Sequence, residues 1–452
     1  MTIRLACAGC GFEPDPASSP FRCPKAGDDD VDHLIHRVVD LSGFSFPSRE
    51  ETSPFIAFRT LMLSHQVAIQ GGMSEARYVE LVRSLDERVA GVDGKGFVQT
   101  PFGHEAGLSE ALGLQVWVKN ETGNVSGSHK ARHLMGIAVY LLVLRELGIS
   151  GVEKPRLAIA SCGNAALAAA TVAAALEYPI DVFIPTDANP VVLQRLEGLG
   201  ASLNISERRP GESGDPCFLR FKEALAEGAL PFGCQGSENG LTIEGGLTLG
   251  YELAGGSPLE RLFIQVGGGA LGSGIIQALR ESVALGKLSA MPVIHCVQTQ
   301  GAAPLCRAYE RLASRLAERF GASDESTAPR ALALKSLYGS AEFESELAYA
   351  AHHRSEFMWP WEEVPHSAAH GILDDETYDW FELVRGMLES GGYPLTVSEE
   401  HVLEGHRLAH RHTDIPVCCT GSSGLAGLLQ LRERRAVGAE ERLGLLFTGA
   451  ER

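Results

Sequence analysis

Three polar turns in this chain each close an apolar strand and open a helix, and each carries residues able to do chemistry. The first runs Lys119-Asn120-Glu121-Thr122-Gly123-Asn124-Val125-Ser126-Gly127-Ser128-His129-Lys130-Ala131-Arg132. Ser128 is a natural N-cap, which places Lys130 in the first helical turn. The positive end of a helix disfavours a lysine, so Lys130 reads either as a solvated surface side chain or as an amine kept for chemistry. The second turn, Ser161-Cys162-Gly163-Asn164-Ala165-Ala166, opens an alanine-rich helix whose free backbone N–H groups suit a carboxylate. The third, Val266-Gly267-Gly268-Gly269-Ala270-Leu271-Gly272-Ser273-Gly274, lacks side chains where backbone amides must close on a phosphate.

Gly267, Gly269 and Gly272 also have the spacing of a dinucleotide fingerprint. That fingerprint needs an acidic residue at the end of the next strand to hold a ribose, and here the strand ends Val297-Gln298-Thr299-Gln300. No Gly-Lys-Ser/Thr triplet follows the glycines, which removes the P-loop reading as well.

The elements that position these turns alternate. The pattern predicts strands over 115–119, 157–161, 180–185 and 293–297, helices over 128–147, 165–176 and 190–198, and a strand-glycine-helix unit over 262–279. Such a succession is the signature of parallel α/β layers, and 452 residues exceed what one core holds. Before them, Ser74 opens a helix with Tyr78, Leu81, Val82 and Leu85 on one face. Charged helical stretches surround Arg307 to Arg319, and 322–329 reads as a loop.

In this order the three turns resemble the threonine synthase and serine/threonine dehydratase branch of the pyridoxal 5'-phosphate β-family, which also contains the tryptophan synthase β chain. The resemblance covers about residues 100–450. It implies a two-lobed α/β fold of the tryptophan synthase β type, with 46–135 and 225–452 as the large cofactor-binding domain and 136–224 as a small mobile domain. It makes Lys130 the catalytic Schiff-base lysine. Ser161, Cys162, Gly163 and Asn164 become the substrate-carboxylate loop, with Asn164 also beside the cofactor ring, and Gly267, Gly268, Gly269, Ala270 and Leu271 the phosphate cup. Weaker echoes follow at Thr242-Ile243-Glu244-Gly245 with Thr248 and at Phe447-Thr448-Gly449. Thr420, before Gly421, falls where the family places a hydroxyl on the pyridine nitrogen. A neutral hydroxyl there does not stabilise a protonated ring, which suits prompt loss of a β leaving group. His129 stands where dehydratases have Phe; it either helps hold the phosphate, as in the tryptophan synthase β chain, or only packs. Cys418 and Cys419 read as small buried apolar residues.

Residues 1–45 differ in composition and form an appended segment. Cys7, Cys10 and Cys23 resemble the zinc ribbon preceding some threonine synthase-like chains, but a fourth cysteine is missing; His33 or His36 would complete a zinc site, and a metal-free ribbon is the other reading. Ten cysteines in so long a chain are too few for a disulfide scaffold. A net charge of −18 without a basic face argues against nucleic acid, and no apolar run reaches a membrane span. Met1 to Cys10 contains no apolar signal core, so a cytoplasmic location is expected, and the family habit implies a homodimer with a small amino-acid substrate. The favoured activity is α,β-elimination from a serine- or threonine-like amino acid. The rival is threonine synthase-type replacement on a phosphorylated substrate, for which scattered Arg195, Arg208 and Arg209 define no pocket. A third reading is a sensor or partner subunit that has lost turnover.

Overall fold

The structure, a computed structural model, describes residues 2–16, 21–27, 29–48, 50–149, 154–212, 214–322 and 326–452. Arg261–Gln265, an apolar strand with no polar alternation, lies inside a six-stranded sheet ordered Leu395–Val397, Val293–Thr299, Arg261–Gln265, Arg442–Phe447, Gln115–Asn120, Phe102–His104. All neighbours are parallel except the last pair. Parallel strands are covered on both faces, which is why Leu262, Phe263 and Ile264 are all buried. A second, all-parallel sheet is ordered Ser202–Ile205, Ile180–Ile184, Leu157–Ala160, Leu230–Pro231. The fold is therefore the mixed α/β with parallel sheets that the alternation predicts.

Parallel topology also explains why the three turns can meet. In open parallel sheets, ligands lie beyond the carboxyl ends of the strands. The Lys130 turn follows Gln115–Asn120, the Asn164 turn follows Leu157–Ala160, and the glycines follow Arg261–Gln265. A fourth segment, Thr448-Gly449, follows Arg442–Phe447 in the same way. Helix Lys130–Glu146 is fixed against helix Thr242–Gly255 at a glycine crossing: a Cβ on Gly136 would meet the Gly245 backbone nitrogen at 2.5 Å, and one on Gly245 would overlap the Arg132 carbonyl. The start of that helix, and Lys130 with it, is thereby held to the body.

The N-terminal segment contains an antiparallel pair, Thr2–Cys7 with Ile35–Asp40. Ile3, Leu5 and Ile35 join an apolar cluster shared with helix Glu75–Asp93, helix Lys130–Glu146 and the four-stranded sheet. Arg37, 3% exposed, binds Glu244 at 2.7 Å, lies 3.2 Å from Glu281, and donates to the Leu61 carbonyl at 2.8 Å. Glu244 thus serves this seam.

Several expectations shift. Ser128 is not the N-cap: the helix starts at Lys130 after a helical His129, and Ser128 is extended with a buried, unpartnered hydroxyl. The reason is that the His129 N–H is taken by the Thr448 carbonyl at 3.0 Å, so the tail fixes the turn instead of a side-chain cap. The region 322–329 is no simple loop, because helix Thr327–Leu337 begins inside it; residues 323–325 lie outside the described residues. Ser74 caps its helix as read, accepting from the Arg77 N–H, and Tyr78, Leu81, Val82 and Leu85 are buried. No helix among the described residues is long and apolar enough to cross a membrane.

Candidate functional site

Lys130 is half-buried, and its charge acts on His129, His133, Cys234, Asp374 and Asp379. Across from it, Asn164 opens helix Asn164–Leu176, and its Nδ2 lies so near Gly449 that a Cβ there would approach to 2.7 Å. A side chain at 449 would therefore have to displace the Asn164 amide. Ser161 accepts weakly from the Gly163 N–H at 3.4 Å, and Cys162 is exposed. The tail closes the other side: Ala450 donates to the Gly127 carbonyl at 2.8 Å, and Gln265 donates to the Thr448 hydroxyl at 2.7 Å.

The glycine loop ends in Gly269 at φ 105, a left-handed conformation that favours glycine, and Ala270 and Leu271 start helix Ala270–Ala284. A segment that carries no recognisable motif lies across it. A Cβ on Gly267 would strike the Asp374 carboxylate, one on Gly268 would meet the Tyr378 ring at 2.7 Å, and one on Gly269 would meet Asp379 Cβ at 2.9 Å. The Asp374 carboxylate therefore lies against the backbone of Gly267 and Gly268. An anion supplied by the chain itself thus rests in the cradle read as a phosphate cup. Burial raises Asp374 to about 6, against the opposing pull of Lys130 and the Gly268 amide. Burial raises Asp379 to about 8, with Asp32 and Glu382 adding to the rise. Neither aspartate belongs to a motif, so only the fold reveals them.

Thr420 lies in the first turn of helix Cys419–Glu433, and its hydroxyl accepts from the Gly371 N–H at 3.0 Å, on the same covering segment. Ser422 and Ser423 are buried and spend their hydroxyls on carbonyls of their own helix. Cys418 and Cys419 are half-buried, so the reading as core residues is corrected. The Cys418 sulfur accepts from the Gly421 N–H at 3.3 Å and caps the helix. His129 Nδ1 lies 3.1 Å from the Thr448 carbonyl, which can only accept, so Nδ1 carries the proton and the buried, unpartnered Nε2 is an acceptor. Burial, then Lys130 and His133, push His129 well below the usual imidazole range. A neutral ring with Nε2 unprotonated has no donor to offer a phosphate from that atom.

Behind Lys130 stands a buried ionic network. Arg132, fully buried, donates bidentately to Glu121 at 2.8 and 2.9 Å, and to Glu252 at 2.6 Å and the Thr248 hydroxyl at 2.9 Å. Lys119 pairs with the other Glu252 oxygen, and Asn124 donates to Glu121 at 2.9 Å. Every residue of the network is buried, so the lysine turn is built on charges that satisfy one another.

At the N-terminus the structure gathers Cys7, Cys10, Cys23 and His33, with donor atoms all within 4.8 Å of one another. His36 is not in this cluster, which settles which histidine accompanies the cysteines. Asp29 lies 3.1 Å from His33 Nε2, which leaves Nδ1 toward the thiols, 3.4 Å from Cys7 Sγ, an arrangement like that of an outer carboxylate orienting a ligating imidazole. A Cys3His set fits zinc. The strand that begins two residues later carries Arg37 into the body, so a chelator is expected to lower the melting temperature of the whole chain, measured by calorimetry. An unchanged melting temperature in metal-free protein would make the ribbon independent of metal.

Three helix N-termini, a glycine loop and a lysine thus lie beyond the carboxyl ends of parallel strands. Residues 95–449 match the family described as pyridoxal-phosphate dependent enzyme, and this chain belongs to that family. The "Serine dehydratase-like" protein of Rattus norvegicus is 30% identical over 40% of this chain and 52% of its own length. The chain thus spans about half the length of that relative. Threonine synthase of Methanosarcina acetivorans is 24% identical over 76% of this chain and 72% of its own. Among solved structures, a threonine deaminase from T.th. superposes with a TM-score of 0.55 at 22% identity, covering 82% of this chain and 98% of that one.

Proposed function

We propose that this chain is a pyridoxal-phosphate dependent lyase that removes a β leaving group from a small serine- or threonine-like amino acid, releasing ammonia and a 2-oxo acid. The observation that carries the reading is that Lys130, Asn164 and the glycine loop all follow the carboxyl ends of parallel strands, with the Asp374 carboxylate lying against the glycine loop. The residues fit the cofactor: a cradle closed to any Cβ, a helix N-terminus and a facing amine. When bound, the cofactor supplies an electron-withdrawing ring that acidifies the substrate Cα–H. In this reading Lys130 holds the cofactor covalently and, once displaced by the substrate amine, takes the Cα proton. The amides of Gly267 to Leu271 hold the phosphate, and Ser161, Gly163 and Asn164 orient the substrate carboxylate. Thr420 offers a neutral hydroxyl to the ring nitrogen.

One observation favours the rival replacement reaction on a phosphorylated substrate. Arg452 donates to the Ser126 carbonyl beside the lysine turn, and burial, then the charge of Arg195, push its pKa down against the pull of Cys418 and Asp93. A cation beside the lysine turn suits an anionic substrate group. Arg209 is instead paired with Glu223, and Arg208 donates to the Glu212 carbonyl. A substrate screen reporting ammonia and inorganic phosphate separately decides. Oxo-acid formation from serine or threonine supports the lyase; threonine formed with phosphate released from O-phosphohomoserine overturns it.

Asp374 adds a testable consequence. A carboxylate in the cradle competes with a phosphate, so Asp374→Asn is expected to tighten cofactor binding by about tenfold, roughly 1.4 kcal/mol. Because Asp374 titrates at about 6, it is neutral well below that pH and anionic above it. The advantage of the asparagine variant therefore grows as pH rises through 6 and fades below it, which cofactor titrations at pH 5 and 7.5 measure. Equal affinities at both pH values would place Asp374 outside the cradle once the cofactor binds.

A further inference from the structure

Away from the lysine turn, helix Glu399–His412 places His406 and His410 one turn apart on the face that meets the chain end. Their rings lie 4.5 Å apart at 60°, and Glu451 reaches between them, 3.1 Å from His410 Nε2 and 3.8 Å from His406 Nε2. The three donor atoms all lie within 4.8 Å of one another. His406 Nε2 is buried without a hydrogen-bond partner; His410 Nε2 donates to the Val417 carbonyl at 2.8 Å, so it carries a proton that an incoming ion would displace. Donors bound at about 2.0–2.2 Å to one ion are about 3 Å or slightly more from each other. The Glu451 separations of 3.1 and 3.8 Å lie near that value.

We propose that His406, His410 and Glu451, with the Val417 carbonyl as a fourth donor, form a site for a divalent first-row cation such as zinc, cobalt or nickel. Two imidazole nitrogens among the donors select these ions over magnesium and calcium, which take oxygen ligands. The site is separate from the Cys3His cluster and has no thiolate. Its place in the fold gives it a consequence. Glu451 donates its N–H to the Pro416 carbonyl, and just before it Ala450 donates to Gly127, while the Thr448 carbonyl accepts from His129. An ion here joins helix Glu399–His412 to the tail that closes on the lysine turn, so it fixes that tail without touching the reacting groups.

The test is cobalt(II) titration of the full chain, read by equilibrium dialysis and by absorbance. Cobalt in a Cys3His site gives strong thiolate-to-metal charge transfer; cobalt in a His2Glu site gives only weak ligand-field bands. His406→Ala and Glu451→Gln should each bind one fewer cobalt ion per chain than the parent, with the charge-transfer bands unchanged. The metal-free melting temperatures should match the parent, and added cobalt should raise the melting temperature of the parent more than that of either variant. Undiminished cobalt binding by both variants overturns the site. Loss in His406→Ala with full binding in Glu451→Gln also overturns it, since two histidines one turn apart would then suffice. Neither result depends on the cofactor or on the reaction catalysed.

Discussion

Lys130→Ala is expected to retain a folded chain while turnover falls about 100- to 10,000-fold, the range for losing a positioned proton-transfer group. The fold should survive because Lys130 is half-buried and, among the described residues, makes no hydrogen bond or ion pair; its neighbours feel its charge only. Removing it also removes a cation whose presence pushes His133 and His129 down, so those imidazoles become slightly easier to protonate. Three measurements check the assignment together. Borohydride reduction of the parent should fix the cofactor on the peptide containing Lys130, and the same treatment of the variant should leave the cofactor removable by dialysis. Circular dichroism should be unchanged. A variant that still yields a reducible covalent adduct, on Lys119 for example, would end the assignment. Lys119 is a poor substitute, because it is fully buried and already committed to Glu252 and the Thr100 carbonyl.

Most of what was legible in the sequence was local. The helix over Pro190–Gly198 appears with the boundaries expected, because Asn189 caps it through the Val191 N–H and Pro190 supplies the fixed φ of a first turn. The apolar strands were legible because burial on both faces leaves no alternation to misread. Ser128 failed as a cap because a contact with Thr448, far away along the chain, decides the turn, and no local pattern encodes it. The same limit hid Asp374 and Asp379. An aspartate in a loop reads as solvated, and only the packing of residues 370–379 over the glycine loop turns it into a buried carboxyl. The Cys3His set lies between these cases: the cysteine spacing announced it, but the choice of His33 over His36 required the fold, which sets His33 just before the strand beside Cys7 while His36 sits within the strand opposite Ala6.

The buried network around Arg132 carries the largest expected effect on stability. Arg132→Met removes the cation that bonds both Glu121 oxygens and one oxygen of Glu252, leaving two carboxylates in the interior with Lys119 beside them. Breaking one partner of such a buried set costs about 3–5 kcal/mol, a large share of the stability of a typical domain. Urea denaturation should show a lower midpoint, and cofactor retention should fall with it, because Glu121 and Asn124 shape the turn that ends in Lys130. Arg132→Lys keeps the charge but not the planar fork, and cannot reach both glutamates in the same geometry, so it should recover only part of the loss. The decisive comparison is the double variant Arg132→Met with Glu121→Gln. If the cost arises from an unpaired buried charge, removing that charge should restore part of the midpoint lost in Arg132→Met, a non-additivity that a double-mutant cycle reads directly. Additive losses would mean that Arg132 acts through its packing volume instead of its charge.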